Sequence, residues 1–229
     1  MIIAIDGPAG AGKSTTARLL AQRLGFSYID TGAMYRGVAL SAFERGLSVE
    51  EDTPEVVALA RELPLRLEGG GTRLFIGERE VSREIREPHI GALTSRISAI
   101  PAVRSAMAQA QRRLGRAGQA SCGGSVLEGR DIQTVVFPEA EVKVFLQAGA
   151  RTRAARRVEE WAASRAEAAP DVEQTERDLT ERDERDAGRD TAPLKPAEDA
   201  HILSTEGRTP EQVVEEILAL VQRRREAST

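Results

Sequence analysis

Residues Gly7-Pro8-Ala9-Gly10-Ala11-Gly12-Lys13-Ser14-Thr15 satisfy G-x-x-x-x-G-K-[ST] without a mismatch. The pattern constrains the fold as well as the ligand. Its glycines let successive backbone N–H groups curl around the phosphates of a nucleotide, and this works only between a strand and a helix. Both flanks are present. Met1 to Ile5 is a short apolar run that predicts a buried strand. Ser14 to Gly25 predicts an amphipathic helix with Ala17, Leu20, Ala21 and Leu24 on one face. Lys13 supplies a point charge for the phosphates, and the Ser14 hydroxyl suits a divalent cation. The chain is therefore expected to bind a nucleoside triphosphate.

The rest of the chain alternates strands and helices. Ser27 to Asp30, Ser125 to Glu128, Val142 to Leu146 and His201 to Leu203 read as strands. The segments Met34 to Arg45, Thr53 to Leu63, His89 to Ile100, Ala102 to Gly115, Arg151 to Arg165, Asp171 to Ala187 and Pro210 to Arg224 read as helices. Thr31-Gly32 reads as a tight turn, Thr53 as a helix cap, and Pro101 as a break between two helices. The alternation predicts a parallel sheet covered on both faces, with nucleotide at its carboxyl edge. Between residues 64 and 83 the pattern changes. Leu65 to Glu68, Arg73 to Ile76 and Glu80 to Ser82 have strand character and are separated by Gly69-Gly70-Gly71 and Gly77-Glu78, which predicts an antiparallel meander.

Composition narrows the function. With 229 residues, 41% apolar and 30% charged, the chain can bury a substantial core. A net charge of −4 argues against a broad nucleic-acid surface. No apolar run approaches membrane-span length, and no signal peptide is expected. The single Cys122 fits a reducing cytoplasm. Lysine occurs only at Lys13, Lys143 and Lys195, and every other cation is arginine, the better fork for phosphate and carboxylate.

Three further clusters fall where chemistry is expected. Asp30-Thr31-Gly32-Ala33-Met34-Tyr35-Arg36 ends the second strand. There Thr31, Tyr35 and Arg36 could meet an acceptor near the γ-phosphate, or Thr31 could simply cap a helix. Glu128-Gly129-Arg130-Asp131 ends a central strand and could hold a cation through water, a base amino group or a phosphate, or form a surface turn. Arg151, Arg153, Arg156 and Arg157, then Arg177, Arg182, Arg185 and Arg189, could neutralise a transferring phosphoryl group, or form a solvated helix surface. Arg182, Arg185 and Arg189 are expected on one helix face, and Arg177 is expected at the surface. Ser95 and Arg104 carry no assignment by residue type alone. Neither His89 nor His201 has a partner at metal-ligand spacing.

Taken in order, Asp6 to Thr15, Asp30 to Arg36, Glu128 to Asp131 with Thr134 to Pro138, and Arg182-Asp183 through Arg185-Asp186 and Arg189 with Ala192 to Leu194 resemble bacterial cytidylate kinases along essentially the whole chain. The resemblance implies an α/β fold of the P-loop NTPase type: a parallel five-stranded sheet flanked by helices, a helical lid, and an inserted monophosphate-binding domain of small antiparallel sheet plus helices. The implied boundaries are 1–62 and 119–229 for the kinase core, about 150–168 for the lid, and 63–118 for the insert. The implied reaction is reversible transfer of the ATP γ-phosphate to CMP or dCMP.

By the same resemblance, Gly7 to Thr15 hold ATP, and Lys13, Arg130, Arg182 and Arg189 are catalytic. Thr31, Tyr35, Arg36, Ser95, Arg104, Arg130, Asp131, Arg182, Asp186 and Arg189 hold CMP. Among these, Ser95, Arg104 and Asp131 read the base, and Arg182 and Asp186 hold the ribose. Mg²⁺ is the implied cofactor, on Ser14 and on Glu128 through water. A cytoplasmic monomer that uses neither nucleic acid nor membrane is expected. Two positions depart from the family pattern: Glu128 stands where aspartate is common, and Gln133 where glycine is usual. Another small-molecule P-loop kinase, of adenylate or shikimate type, and an ATP-dependent switch are the alternatives.

Overall fold

The computed structural model describes residues 1–164 and 170–227. The far end of the expected lid, residues 165–168, lies outside the described residues. Strands β1 (Ile2–Asp6), β2 (Ser27–Asp30), β6 (Ser125–Gly129), β7 (Val142–Gln147) and β8 (His201–Ser204) form a five-stranded parallel sheet in the order β2-β6-β1-β7-β8. Every residue of β1 is buried, as a strand covered on both faces requires. The helices α1 (Lys13–Leu24), α2 (Thr31–Glu44), α3 (Thr53–Glu62), α4 (Pro88–Ile97), α5 (Pro101–Cys122), α6 (Ala150–Ser164), α7 (Val172–Ala187) and α8 (Pro210–Glu226) complete the alternation. The chain divides into two compact units, Met1–Ile2 with Ala21–Glu128, and Ile3–Leu20 with Gly129–Thr229.

In the first unit, β2 pairs with β6, Ser27 facing Ser125 and Asp30 facing Glu128. Helix α2 is buried along most of its length and packs against α3, α4 and α5. The meander is present as β3 (Leu65–Glu68), β4 (Arg73–Ile76) and β5 (Arg79–Glu80), in that order and antiparallel. The third strand is earlier and shorter than its apolar character suggests. Past Glu80 the regular ladder ends on Leu74, whose carbonyl accepts the Val81 N–H at 2.8 Å and whose N–H donates to the Ser82 hydroxyl at 3.0 Å.

Local readings fail where tertiary packing overrides them. Thr31 is neither turn nor cap: Asp30 caps α2 by accepting the Ala33 N–H at 2.8 Å, and the helix starts at Thr31. Asp52 stands at the cap position of α3, and the Thr53 hydroxyl donates to the Val49 carbonyl at 2.6 Å. Pro101 opens α5, where its missing N–H is harmless.

Helix α5 also runs through Gly115 and Gly118 to Cys122, past the expected end. Gly118 is there because of contact. A Cβ on it would lie 2.3 Å from Ser125 Oγ and 2.5 Å from Ser27 Cβ. The Ser125 hydroxyl is already committed, donating to the Gly115 carbonyl at 2.8 Å.

In the second unit, β7 lies between β1 and β8, Asp6 facing Phe145 and Phe145 facing Ile202. Helix α6 packs along α7, and α8 packs on β7 with Val213, Val214, Ile217 and Val221 buried. A capping box of Thr209 and Gln212 starts α8.

Gly118→Ala should destabilise the protein by about 2 kcal/mol, because overpacking outweighs the roughly 1 kcal/mol gain in helix propensity. Urea unfolding of the variant beside Gly91→Ala, which meets nothing within 4 Å, separates the two terms.

Candidate nucleotide site

The phosphate loop belongs to the second unit. Gly7, Gly10 and Gly12 have φ of 149°, 75° and 84°, the region open mainly to glycine. A Cβ on Gly7 would sit 2.3 Å from the Leu146 carbonyl oxygen of β7, and one on Gly10 would sit 2.9 Å from Arg153 Cβ. Lys13 is buried and donates to the Pro8 carbonyl at 2.7 Å, which lays its ammonium across the loop. Ser14 and Thr15 are exposed in the first turn of α1. A helix N-terminus beside curled N–H groups favours an anion.

Two arginines of α6 buttress the loop. Arg153 donates from Nε to the Ala148 carbonyl at 3.0 Å and from Nη1 to the Ala9 carbonyl at 3.1 Å, and it pairs with Asp183 of α7. Asp183 in turn accepts the Ala9 N–H at 3.3 Å, so a carboxylate oxygen stands at a loop amide. Arg156 grips Thr205 through its hydroxyl at 2.9 Å and its carbonyl at 2.7 Å, while the Thr205 hydroxyl donates to the Ala11 carbonyl at 3.2 Å. Arg157 is exposed, beside Glu160. A cavity of about 490 Å³ opens at this sheet edge, lined among others by Pro8, Gln147, Asp183, Leu194 and Glu206.

Asp186 gathers three arginines of this unit. It accepts from Arg130 Nε at 3.1 Å and pairs with Arg189. Burial pushes its pKa up, but the Arg130, Arg189 and Arg182 charges outweigh burial and hold it below the ordinary carboxylate value. The expected arginine face is therefore corrected. Arg182 and Arg189 act on Asp186, whereas Arg185 is exposed and donates to the Glu181 carbonyl at 3.2 Å. Arg189 also lies past the helix end at Ala187. Arg177 is at the surface as expected, bonded to Gln174.

Asp131 is buried in the second unit, and the first unit carries the other named residues. The Thr31 hydroxyl donates to the Glu128 carbonyl at 2.6 Å, and the Tyr28 hydroxyl donates to Glu128 Oε1 at 2.7 Å. The added reach of a glutamate at 128 is thus taken up by a buried contact with Tyr28, which residue spacing does not reveal. Tyr35 is buried under the Arg104 guanidinium, 5.8 Å from its ring centre. Arg104 is 5% exposed and donates from Nη1 to the Ser98 carbonyl at 3.1 Å. The Ser98 hydroxyl reaches the Ser95 carbonyl at 3.2 Å. Arg36 and Ser95 are half-buried nearby in sequence, on α2 and α4. A buried guanidinium presents a rigid donor fork to any planar acceptor.

A family model described as "Cytidylate kinase" matches residues 3–223. A cytidylate kinase of Geobacter sp. (strain M21) is 47% identical over 225 residues, which is 97% of this chain and 91% of that one. One from Pelotomaculum thermopropionicum is 46% identical over 222 residues, 96% of this chain and 95% of the relative.

The chain belongs to the cytidylate kinase family.

Among solved structures, an uncharacterized protein from Eubacterium ventriosum ATCC 27560 has a TM-score of 0.50 at 11% identity, over 97% of this chain and 98% of that one, a likeness of fold alone. Family membership makes this an ATP-dependent nucleoside monophosphate kinase that works on nucleotide substrates. Among the described residues no helix is long and apolar enough to cross a membrane.

The contacts of Asp183, Thr205 and Tyr28 had no signal in local spacing, since their partners lie 174, 194 and 100 residues away.

Asp186→Asn leaves Arg130 and Arg189 facing a neutral amide. Stability at pH 7 should fall by about 3 kcal/mol. A carboxylate whose folded pKa is depressed contributes stability above its unfolded value and loses it as pH falls through the folded one. The deficit should therefore shrink below the ordinary value of 3.8. Urea titrations at neutral and acid pH test this, and an equal deficit at both would remove charge from the explanation.

Proposed function

We propose that this protein transfers the γ-phosphate of ATP to CMP or dCMP, reversibly, giving CDP or dCDP and ADP. The observation that supports the base specificity most is the buried Arg104, stacked on Tyr35 and anchored to the Ser98 carbonyl. Cytosine offers acceptors at N3 and O2 and a donor at N4. Arg104 donates to N3, while Ser95 and Asp131 accept from N4. Uracil presents the opposite pattern at both positions, so buried polar groups would be left mismatched.

The remaining roles follow from charge. Lys13 and the amides of Gly7 to Thr15 hold the ATP phosphates. Thr31, Tyr35 and Arg36 receive the monophosphate, and Arg182 with Asp186 holds the ribose. Arg130, Arg182 and Arg189 neutralise the transferring group. No histidine-like base is required, because the acceptor phosphate is already an anion, so catalysis is positioning plus charge stabilisation.

The exposed Ser14 hydroxyl and the Glu128 carboxylate are oxygen donors, which suits Mg²⁺. Bound there, Ser14 directly and Glu128 through water, the ion would supply charge neutralisation at the β- and γ-phosphates. In this reading residues 63–118 are the CMP-binding insert, 1–62 and 119–229 the core, and about 150–168 the lid. The protein works as a cytoplasmic monomer, with neither nucleic acid nor membrane as partner.

In a coupled ADP-release assay, CMP and dCMP should be phosphorylated faster than UMP or AMP, and faster turnover of UMP or AMP would overturn the specificity. Arg104→Met should raise KM for CMP about a hundredfold, the scale of a lost charged hydrogen bond, with KM for ATP little changed. An unchanged KM for CMP would sink the base-reading role.

A further inference from the structure

Asp6 is used by none of the roles above, yet it is fully buried as the last residue of β1, directly before the phosphate loop. Its carboxylate accepts the Ile132 N–H on Oδ1 at 3.1 Å and the Gln133 N–H on Oδ2 at 2.8 Å. These are the first two N–H groups of a single wide helical turn, Ile132–Val136, that follows Arg130-Asp131 directly. The Asp131 carbonyl accepts from both Val135 and Val136, at 2.9 and 3.2 Å, and Phe137 closes the turn on the Ile132 carbonyl at 2.7 Å.

The first N–H groups of a helical turn lack partners within it and need a cap. Asp131 stands at the cap position, and an aspartate there ordinarily bonds the turn itself. Here it makes no side-chain cap bond. The bonds come from an aspartate 126 residues earlier. Gln133 extends the link, since its side-chain oxygen accepts the Ala197 N–H at 3.3 Å.

We propose that Asp6 is a positioning residue for acceptor binding: by capping the 132–136 turn in place of Asp131, it fixes the backbone that carries Arg130 and Asp131. This rests on the CMP-kinase reading. Loop geometry has a separate support in the packing of Gly7 on Leu146 and the β1–β7 ladder, so the effect falls on CMP rather than ATP.

The charged state of Asp6 belongs to the mechanism. Burial raises its pKa from 3.8 to about 6, against the lowering effect of the two N–H bonds. Asp131, on the turn that Asp6 caps, is the ionisable neighbour whose charge adds to the rise. From β7 it is faced by Phe145, which carries no charge. A protonated carboxyl accepts two N–H bonds less well, so the turn loosens as pH falls through that value.

Asp6→Asn is isosteric and neutral at a place where burial disfavours charge, so the variant is expected to fold. It should raise KM for CMP about tenfold while KM for ATP moves less than about twofold, a split that loss of folded enzyme alone would not produce. The ratio of wild-type to variant kcat/KM for CMP should fall from that value toward one as pH drops through about 6, the phosphate titration of CMP itself cancelling in the ratio. Asp6→Ser carries the same prediction should Asn prevent folding. A ratio near one at every pH, or one unchanged between pH 5 and 8, overturns the role of Asp6 alone. Absence of CMP turnover in the wild type overturns it together with the functional reading.

Discussion

The Leu146 carbonyl oxygen stands where any side chain at position 7 would have to go. That close approach fixes how the chain leaves β1 and enters the phosphate loop. Only glycine tolerates both the contact and the φ of 149°. Everything downstream inherits the geometry: the φ of Gly10 and Gly12, the ammonium of Lys13 laid across the loop, and the start of α1 at Lys13. Arg153 against Gly10 and Thr205 against Ala11 then brace the loop from outside. A phosphate cradle built of backbone N–H groups has no side-chain freedom with which to adjust. Its precision comes from such contacts.

Features that express local chemistry were legible in the sequence. The loop motif, the alternation of strands and helices, the apolar face of α1, and the glycine-separated meander all follow from spacing. What escaped depends on partners distant in the chain. Pro101 can break a helix or open one, and Gly118 can end a helix or seat it, as here, against Ser27 and Ser125. Thr31 and Asp30 are both good caps, and the choice fell to Asp30 because the Thr31 hydroxyl bonds the Glu128 carbonyl. Among the arginines, spacing proposed Arg182, Arg185 and Arg189 as one face. The helix ends before Arg189, and Asp186 selects Arg182 and Arg189 but not Arg185.

The position of Gln133 shows how a departure from the family pattern is absorbed. A glycine there would give the turn only a backbone N–H. Glutamine keeps that N–H on Asp6 and adds a side-chain oxygen that takes the Ala197 N–H. The residue is 1% exposed, so the added side chain is part of the packed interior rather than a surface change.

Two buried aspartates respond to opposite surroundings. Asp6 faces backbone N–H groups, whose partial charges do not offset the desolvation of a full negative charge, and its pKa rises. Asp186 faces three guanidinium groups, whose full charges do, and its pKa falls. Unpaired buried arginines would repel one another and resist ordering. One carboxylate among Arg130, Arg182 and Arg189 offsets that repulsion and holds the three groups together.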